Sequence, residues 1–556
     1  MLARCSGAAL IGLEASAVAV EVDIAPGLPG LLMVGLPDAA VQESRERVRA
    51  ALRNSGLRMP LTRVIVNLAP ADLRKEGPAF DLPIALAVLA ASGQLDPAAL
   101  AGVWCAGELG LDGQLRPVRG ALAIALAARR AGARALLLPA ANAAEAALVE
   151  KLAVWAACDL GQALQWLLDP EGTEGALAAA GAAASSEERH TGSPGLLAGS
   201  SADRSGFLTR AGAATSGHAP GNPPPELDLA DVRGQAHGRR ALEIAAAGGH
   251  HLLLVGPPGS GKTMLARRLA GLLPPLNRQE QLELTLLYSV AGLLPGSGEG
   301  LRLIEQRPFR SPHHSCSSAA LVGGGSLPRP GELTLAHHGV LFLDELAEFR
   351  RDVLNQLRQP LEQGELWLSR ARQRLRYPCA VSLVAATNPC PCGWYGDAER
   401  PCNCGTGLRQ RYWSRLSGPL LDRLDLQVVV RRLEAAELAP CQPRAVQAGQ
   451  AAQLRPESSR TVAARVLAAR RRMQARNPAG VGNGQLLGEA LHHQAQLSPE
   501  ALDLWQQAIA QRRLSARAAE RVLRVARTIA DLDDQPAVGT QAIAEALTYR
   551  SFDQAL

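Results

Sequence analysis

The chain has 556 residues, 47% of them hydrophobic and 20% charged, with a net charge of +6. That length suits about three domains with large cores, and the mild basicity fits a nucleic-acid partner without requiring one. No apolar run approaches the roughly 18 residues needed to cross a bilayer, and aromatic side chains are too scarce for base stacking to dominate a nucleic-acid contact.

The first residues, Met1 to Cys5, lead into a short mixed segment containing Glu14 rather than a signal-peptide core, so the chain reads as cytoplasmic and without a membrane partner. Its ten cysteines then favour free thiols or metal ligation over disulfides.

Residues 1–168 alternate strand-like and helix-like segments. Ala17 to Ile24 and Arg63 to Leu68 read as strands, Asp38 to Ser55 and Asp81 to Ser92 as helices. Trp104 to Glu108, Gly120 to Arg130 and Arg134 to Leu138 continue the alternation, which gives an α/β or α+β domain. Residues 169–226 are dominated by Ala, Gly, Ser and Pro. They cannot bury enough apolar surface to offset their ordering entropy, and they read as a disordered linker. Folded structure is expected again over 227–433, followed by a helical region over 434–556. Its clearest helices are Thr461 to Arg476, Pro499 to Arg512 and Ala516 to Leu532.

Inside 227–433 stands Gly256-Pro257-Pro258-Gly259-Ser260-Gly261-Lys262-Thr263, a match to the phosphate-binding loop G-x-x-x-x-G-K-[ST]. The apolar stretch His251 to Val255 before it reads as a buried strand, and Met264 to Leu273 after it as a helix. Glycines there let backbone N–H groups turn onto phosphate oxygens. Lys262 would reach the β- and γ-phosphates of ATP, and the Thr263 hydroxyl would ligate Mg²⁺. Lys75, Lys151 and Lys262 are the three lysines of the chain. A compact ammonium between phosphates is a task for which the arginine fork is a poor substitute.

Downstream, Val340 to Leu343 reads as a buried strand delivering Asp344 and Glu345 at its tip. Asp344 would hold Mg²⁺, and Glu345 would polarise the attacking water. A second buried strand, Val381 to Thr387, ends in Asn388, placed to orient that water.

Between them, Arg370, Arg372, Arg374 and Arg376 fall at every second position, so in a single strand all four share one face. They either follow a DNA backbone without reading its sequence or form a solvated edge strand that blocks aggregation. Cys390-x-Cys392 and Cys402-x-Cys404 suggest a structural Zn²⁺ site, although the spacing is tighter than the usual C-x₂-C. Free thiols or reversible disulfides are the alternatives. The pairs His313/His314 and His337/His338 are poor chelates if each lies in a strand, where neighbours point opposite ways.

An acid strand and an amide strand accompanying a phosphate loop resemble the AAA+ ATPases. By that resemblance Gly418 to Asp425 carries an arginine finger, Arg423, acting on a neighbouring subunit; an ion pair with Asp422 or Asp425 is its alternative. Arg517, opening a helix after Ser515, matches the second sensor or is a surface helix charge. Asp231 to Gln235, with Val232 and Gln235, matches the adenine-side segment, and the arginine segment matches a pore hairpin.

Three longer runs, Arg307 to Ser315, Pro328 to His337 and Arg521 to Leu532, are similar to the magnesium-chelatase-like ATPases of the ComM/YifB group. Membership implies a homo-hexameric ring and, for the ComM members, ATP-driven DNA branch migration during natural transformation. The alternative within the class is a chelatase-type ATPase that remodels a protein partner.

Lys75 to Asp81, and Gly107 to Gly120, resemble the active-site segments of the Lon proteases, whose fold is related to the second domain of ribosomal protein S5. Ala79 stands at the serine position and Leu122 at the lysine position, so serine–lysine proteolysis is not expected.

Overall fold

The computed structural model describes residues 2–169, 227–294, 302–324, 329–370, 373–397, 399–416, 418–433 and 457–550. The region read as a linker and the start of the C-terminal region therefore lie outside the described residues. Those described fall into two compact units. One holds residues up to 169 together with 285–303, the other 227–284 and the described residues from 304 onward.

The first unit is built on a mixed seven-stranded sheet. Its middle is an antiparallel pair, Ala3–Ile11 with Glu14–Ala25, and Val103–Cys105, Ala135–Pro139 and Ala153–Ala157 extend one edge in parallel. Ala3–Ile11 is a strand where the sequence reads only as a mixed segment; a small-residue run such as Ser6-Gly7-Ala8-Ala9 carries little β-propensity, and pairing with Glu14–Ala25 decides its state. Helix Ala39–Asn54 begins where expected because Asp38 caps it, accepting from the Val41 N–H at 2.8 Å. Helix Asp81–Ala91 is apolar all round and wholly buried. The one charge in it, Asp81, accepts from Ser44 and from Arg47 Nε at 2.6 Å. At the positions matched to the Lon nucleophile and base, the Ala79 carbonyl accepts from Gly107 N–H, and Leu122 is fully buried with its N–H on Glu145.

In the second unit a five-stranded parallel sheet runs in the order Phe309–Arg310, Val340–Leu343, Ser382–Thr387, Leu252–Val255, Leu426–Val429. Parallel strands buried on both faces require near-continuous apolar runs, which is how Leu252–Val255 and Val340–Leu343 read. The C-terminal part is helical: Ser459–Arg476, Gly488–Ala495, Pro499–Arg512, Ala516–Leu532 and Thr540–Thr548. Helix Ala516–Leu532 buries most of its length in the core shared with the sheet.

A buried ionic cluster locks these helices. Asp531 accepts from Arg527 Nη2 at 2.9 Å, from Arg476 Nη2 at 2.9 Å and from Asn483 Nδ2 at 2.8 Å. Removing the carboxylate would strand two guanidinium groups away from water. Asp531→Ala should therefore lower stability by about 3–5 kcal/mol, read as a fall in the urea midpoint followed by tryptophan fluorescence.

Candidate nucleotide site

Register brings the site together. Val255 lies beside Thr387, and Leu343 beside Ala385, so the loop after the first strand, Asn388 after the second, and Asp344 with Glu345 after the third all emerge at one edge. Carboxyl ends of parallel strands are where such sheets hold ligands. A cavity of about 470 Å³ opens there, lined by Pro258 to Met264, Asp344, Glu345, Thr387 and Asn388.

Two glycines are fixed by geometry. A Cβ on Gly256 would stand 2.1 Å from the Val430 carbonyl oxygen, and Gly261 begins helix Lys262–Leu272 at φ +91°. Lys262 Nζ donates to the carbonyls of Gly256 and Pro257 and, at 3.2 Å, to Asn388 Oδ1. Burial pulls this ammonium below its ordinary pKa, against the opposing pull of Asp344 and Glu345. A polyphosphate placed here would pull the other way and favour the charged form. Thr263 Oγ1 donates to Asp344 Oδ2 at 2.9 Å, which sets two hard oxygens side by side as Mg²⁺ ligands require. Ser260 Oγ is buried with no hydrogen-bond partner among the described residues, a vacant donor on the phosphate side. The donor set thus fits ATP with Mg²⁺.

Glu345 sits at φ +50°, a conformation that a non-glycine residue adopts only when its surroundings impose it. Its Oε2 lies 3.1 Å from His314 Nδ1. His314 therefore belongs to the site, and no spacing signal could have revealed this, because the contact joins segments thirty-one residues apart in sequence.

The other expected residues lie outside the cavity lining. Gln235 donates to the Ser260 carbonyl at 3.3 Å and to that of Arg431 at 2.6 Å, holding the segment before the first helix against the phosphate loop; Val232 is buried nearby in sequence. Arg423 pairs with Glu362, while Asp422 faces Arg521 at 3.6 Å and Asp425 faces His250 at 3.0 Å. Burial pushes the Asp425 carboxyl up, but the hydrogen bond with His250 and the nearby Arg524 guanidinium outweigh it and carry the group down to about 2. Arg517 is exposed in the first turn of its helix.

The arginine segment folds back on itself. Strands Glu365–Arg370 and Gln373–Pro378 pair antiparallel, and Arg372 lies outside the described residues. The segment is therefore two paired strands and not the single strand whose alternation placed four arginines on one face. Register pairs Arg374 with Ser369 and Arg376 with Trp367, while Arg370 pairs with Gln373. The Arg374 guanidinium stacks 4.5 Å from the Trp367 ring centre, and exposed Arg376 pairs with Glu365.

Cys390, Cys392, Cys402 and Cys404 converge, with all four sulfurs within 4.8 Å of one another. The paired histidines also differ from a strand-based expectation. His338 takes φ +56°, and the rings of His337 and His338 lie tilted with centres 3.7 Å apart instead of pointing apart, both towards Glu283. This group is nonetheless ill suited to a metal. His337 Nδ1 accepts from Ala380 N–H at 3.0 Å, so its neutral ring carries the proton on Nε2, the atom that faces Glu283.

A phosphate-loop sequence, an acid-ended strand and a polar-ended strand between them, in one parallel sheet, are the arrangement of the AAA+ class. The sequence profile described as magnesium chelatase, subunit ChlI, matches residues 228–438, subunit ChlI of Mg-chelatase matches 20–142, and the ChlI C-terminal profile matches 456–550. The competence protein ComM of Haemophilus influenzae is 41% identical over 545 residues, covering 98% of this chain and 96% of the relative. YifB of Escherichia coli is 41% identical over 548 residues, covering 99% and 97%. The chain belongs to the magnesium-chelatase-like ComM/YifB family of AAA+ proteins. Similarity to Lon is partial: Lon protease 2 of Bacillus subtilis is 30% identical over 146 residues, 25% of this chain.

Burial, with His338 next, pushes His337 down to about 3. Its folded pKa thus lies below the ordinary 6.5, so the unfolded chain gains a proton first as pH falls. Stability should be intact above pH 6.5 and decline below it by up to about 1.4 kcal/mol per pH unit. His337→Gln should flatten that slope in urea unfolding at pH 5 to 7.

Proposed function

We propose that this protein is an ATP-dependent DNA motor: an AAA+ ATPase using ATP and Mg²⁺, assembled as a homo-hexameric ring, that migrates branched recombination intermediates during natural transformation. Supporting the ATPase part is one observation above others: Lys262 meets Asn388 while Thr263 meets Asp344, around a single cavity. In this reading Lys262 and the loop glycines hold the phosphates, and Thr263 and Asp344 hold Mg²⁺. Glu345 draws a proton from the attacking water, which Asn388 orients. Arg423 acts across a subunit boundary on the γ-phosphate, where charge accumulates, and Arg517 contacts it from within the subunit. Val232 and Gln235 border the adenine side.

The DNA part is supported by the competence name of the Haemophilus influenzae relative and by the hairpin. Its Arg374 and Trp367 combine a cation with an exposed aromatic face, a pairing suited to a sugar-phosphate strand and its bases. The Lon-like region then serves packing or binding without catalysis, and the four cysteines hold a structural Zn²⁺. The chelatase profile favours one competing reading, remodelling of a protein partner.

DNA-stimulated turnover separates the two. Branched or single-stranded DNA should raise the ATPase rate, and stimulation by a protein partner alone would favour the remodeller. Arg374→Ala with Arg376→Ala should also reduce the slope of log affinity against log salt by about 1.4–1.8, two phosphate contacts at 0.7–0.9 each. An unchanged slope would remove the hairpin from the DNA interface.

A further inference from the structure

The cysteine cluster lies against the nucleotide site. Cys390 follows Asn388 by two residues, and Asn388 is the group that accepts from Lys262. Gly393, between the first cysteine pair and the second, is buried at φ +84°, and a Cβ there would stand 2.8 Å from Pro258 Cδ. Pro258 is a member of the phosphate loop itself. The backbone of this loop therefore touches the nucleotide-binding loop with no room for a side chain between.

The second cysteine pair leads into helix Thr406–Arg415, which returns to the same strand end. Trp413 Nε1 donates to the Pro389 carbonyl at 3.1 Å, and the Tyr412 hydroxyl lies 3.1 Å from Thr387 Oγ1. Both halves of the cluster are thus anchored on residues 387–389. Yet the chain between them, through Trp394 to Pro401, has few apolar residues to bury, so packing alone gives it little reason to hold one shape.

The sulfur geometry supplies the missing fastening. Cys390 and Cys392 sulfurs are 3.2 Å apart, and each is 3.6 Å from the Cys402 sulfur. A tetrahedral ion with Zn–S bonds near 2.3 Å requires sulfur–sulfur edges of about 3.8 Å. Four sulfurs within 4.8 Å leave space for one ion and none for a multi-iron cluster.

We propose that these four cysteines form a ZnS₄ centre whose ion braces the phosphate-binding loop, through Gly393 on Pro258, and fixes Asn388 opposite Lys262. Zinc binding releases the thiol protons and cross-links the ends of the loop. Loss of the ion, by chelation or by oxidation of the thiolates, then loosens the nucleotide site without touching any residue that contacts nucleotide. The ligation rests on the sulfurs alone; the bracing rests on the nucleotide-site reading above.

Metal analysis of the full-length protein, together with the affinity for a fluorescent ADP, tests both parts. Wild type should carry one zinc per chain. Cys402→Ser with Cys404→Ser should lose it and bind the ADP probe roughly tenfold more weakly or worse, the scale seen when the surroundings of a site are loosened. Gly393→Ala keeps the four thiols but sets a Cβ against Pro258 and strains the backbone at φ +84°, so where it retains zinc it should still weaken ADP binding. Absence of zinc, iron in its place, or disulfides in the freshly reduced protein would overturn the ligation. Zinc-free protein, or zinc-loaded Gly393→Ala, with unchanged ADP affinity would overturn the bracing. Failure of the wild type to bind ADP at all would instead remove the nucleotide site, leaving the zinc count standing.

Discussion

Everything in the second unit depends on the register of three adjacent parallel strands. Leu252–Val255, Ser382–Thr387 and Val340–Leu343 are buried on both faces, so apolar packing fixes their pairing. A slip of one residue would turn every side chain to the opposite face and carry Asn388 away from Lys262. Hydrophobic burial thus sets the position of the polar site, and the glycines at 256 and 261 let the backbone follow that position closely. The phosphate loop is tied to the strand before it, to Gln235 on one side and to the cysteine loop on the other.

The helical C-terminal region serves the same sheet from its other side. His250 hydrogen-bonds Asp425 at 3.0 Å and lies 2.8 Å from the Thr528 hydroxyl, linking the strand before the phosphate loop, the segment that carries Arg423 and helix Ala516–Leu532. Asp531 with its two arginines anchors the far end of that helix. Arg423 stands two residues before Asp425 and pairs with Glu362.

Much of the nucleotide site was legible in the sequence because its signals are local. A glycine-rich loop and two apolar strands ending in polar residues declare themselves within a dozen residues each. The helix starts near Asp38 and Ser515 were legible for the same reason. What escaped is non-local. His314 reaches Glu345 only through the tertiary fold, and the strand Ala3–Ile11 is decided by its partner. The arginine segment shows the limit of periodicity: alternation read along one strand does not reveal that the segment pairs with itself, and the antiparallel register sets Arg370 opposite Gln373 but Arg374 opposite Ser369. His337 and His338 escape the strand rule because they lie in a turn between a helix and a strand, with His338 at positive φ.

We propose that this edge of the sheet binds ATP and cleaves it, with binding and chemistry falling to different residues. Measuring nucleotide affinity and turnover for Lys262→Ala and Glu345→Gln side by side tests it most directly. Lys262→Ala should lose both. Glu345→Gln should bind ATP as the wild type does and lose at least about a hundredfold in turnover, the low end of what a positioned general base contributes. Wild-type turnover in the Glu345→Gln protein, or full ATP affinity in Lys262→Ala, would contradict the account.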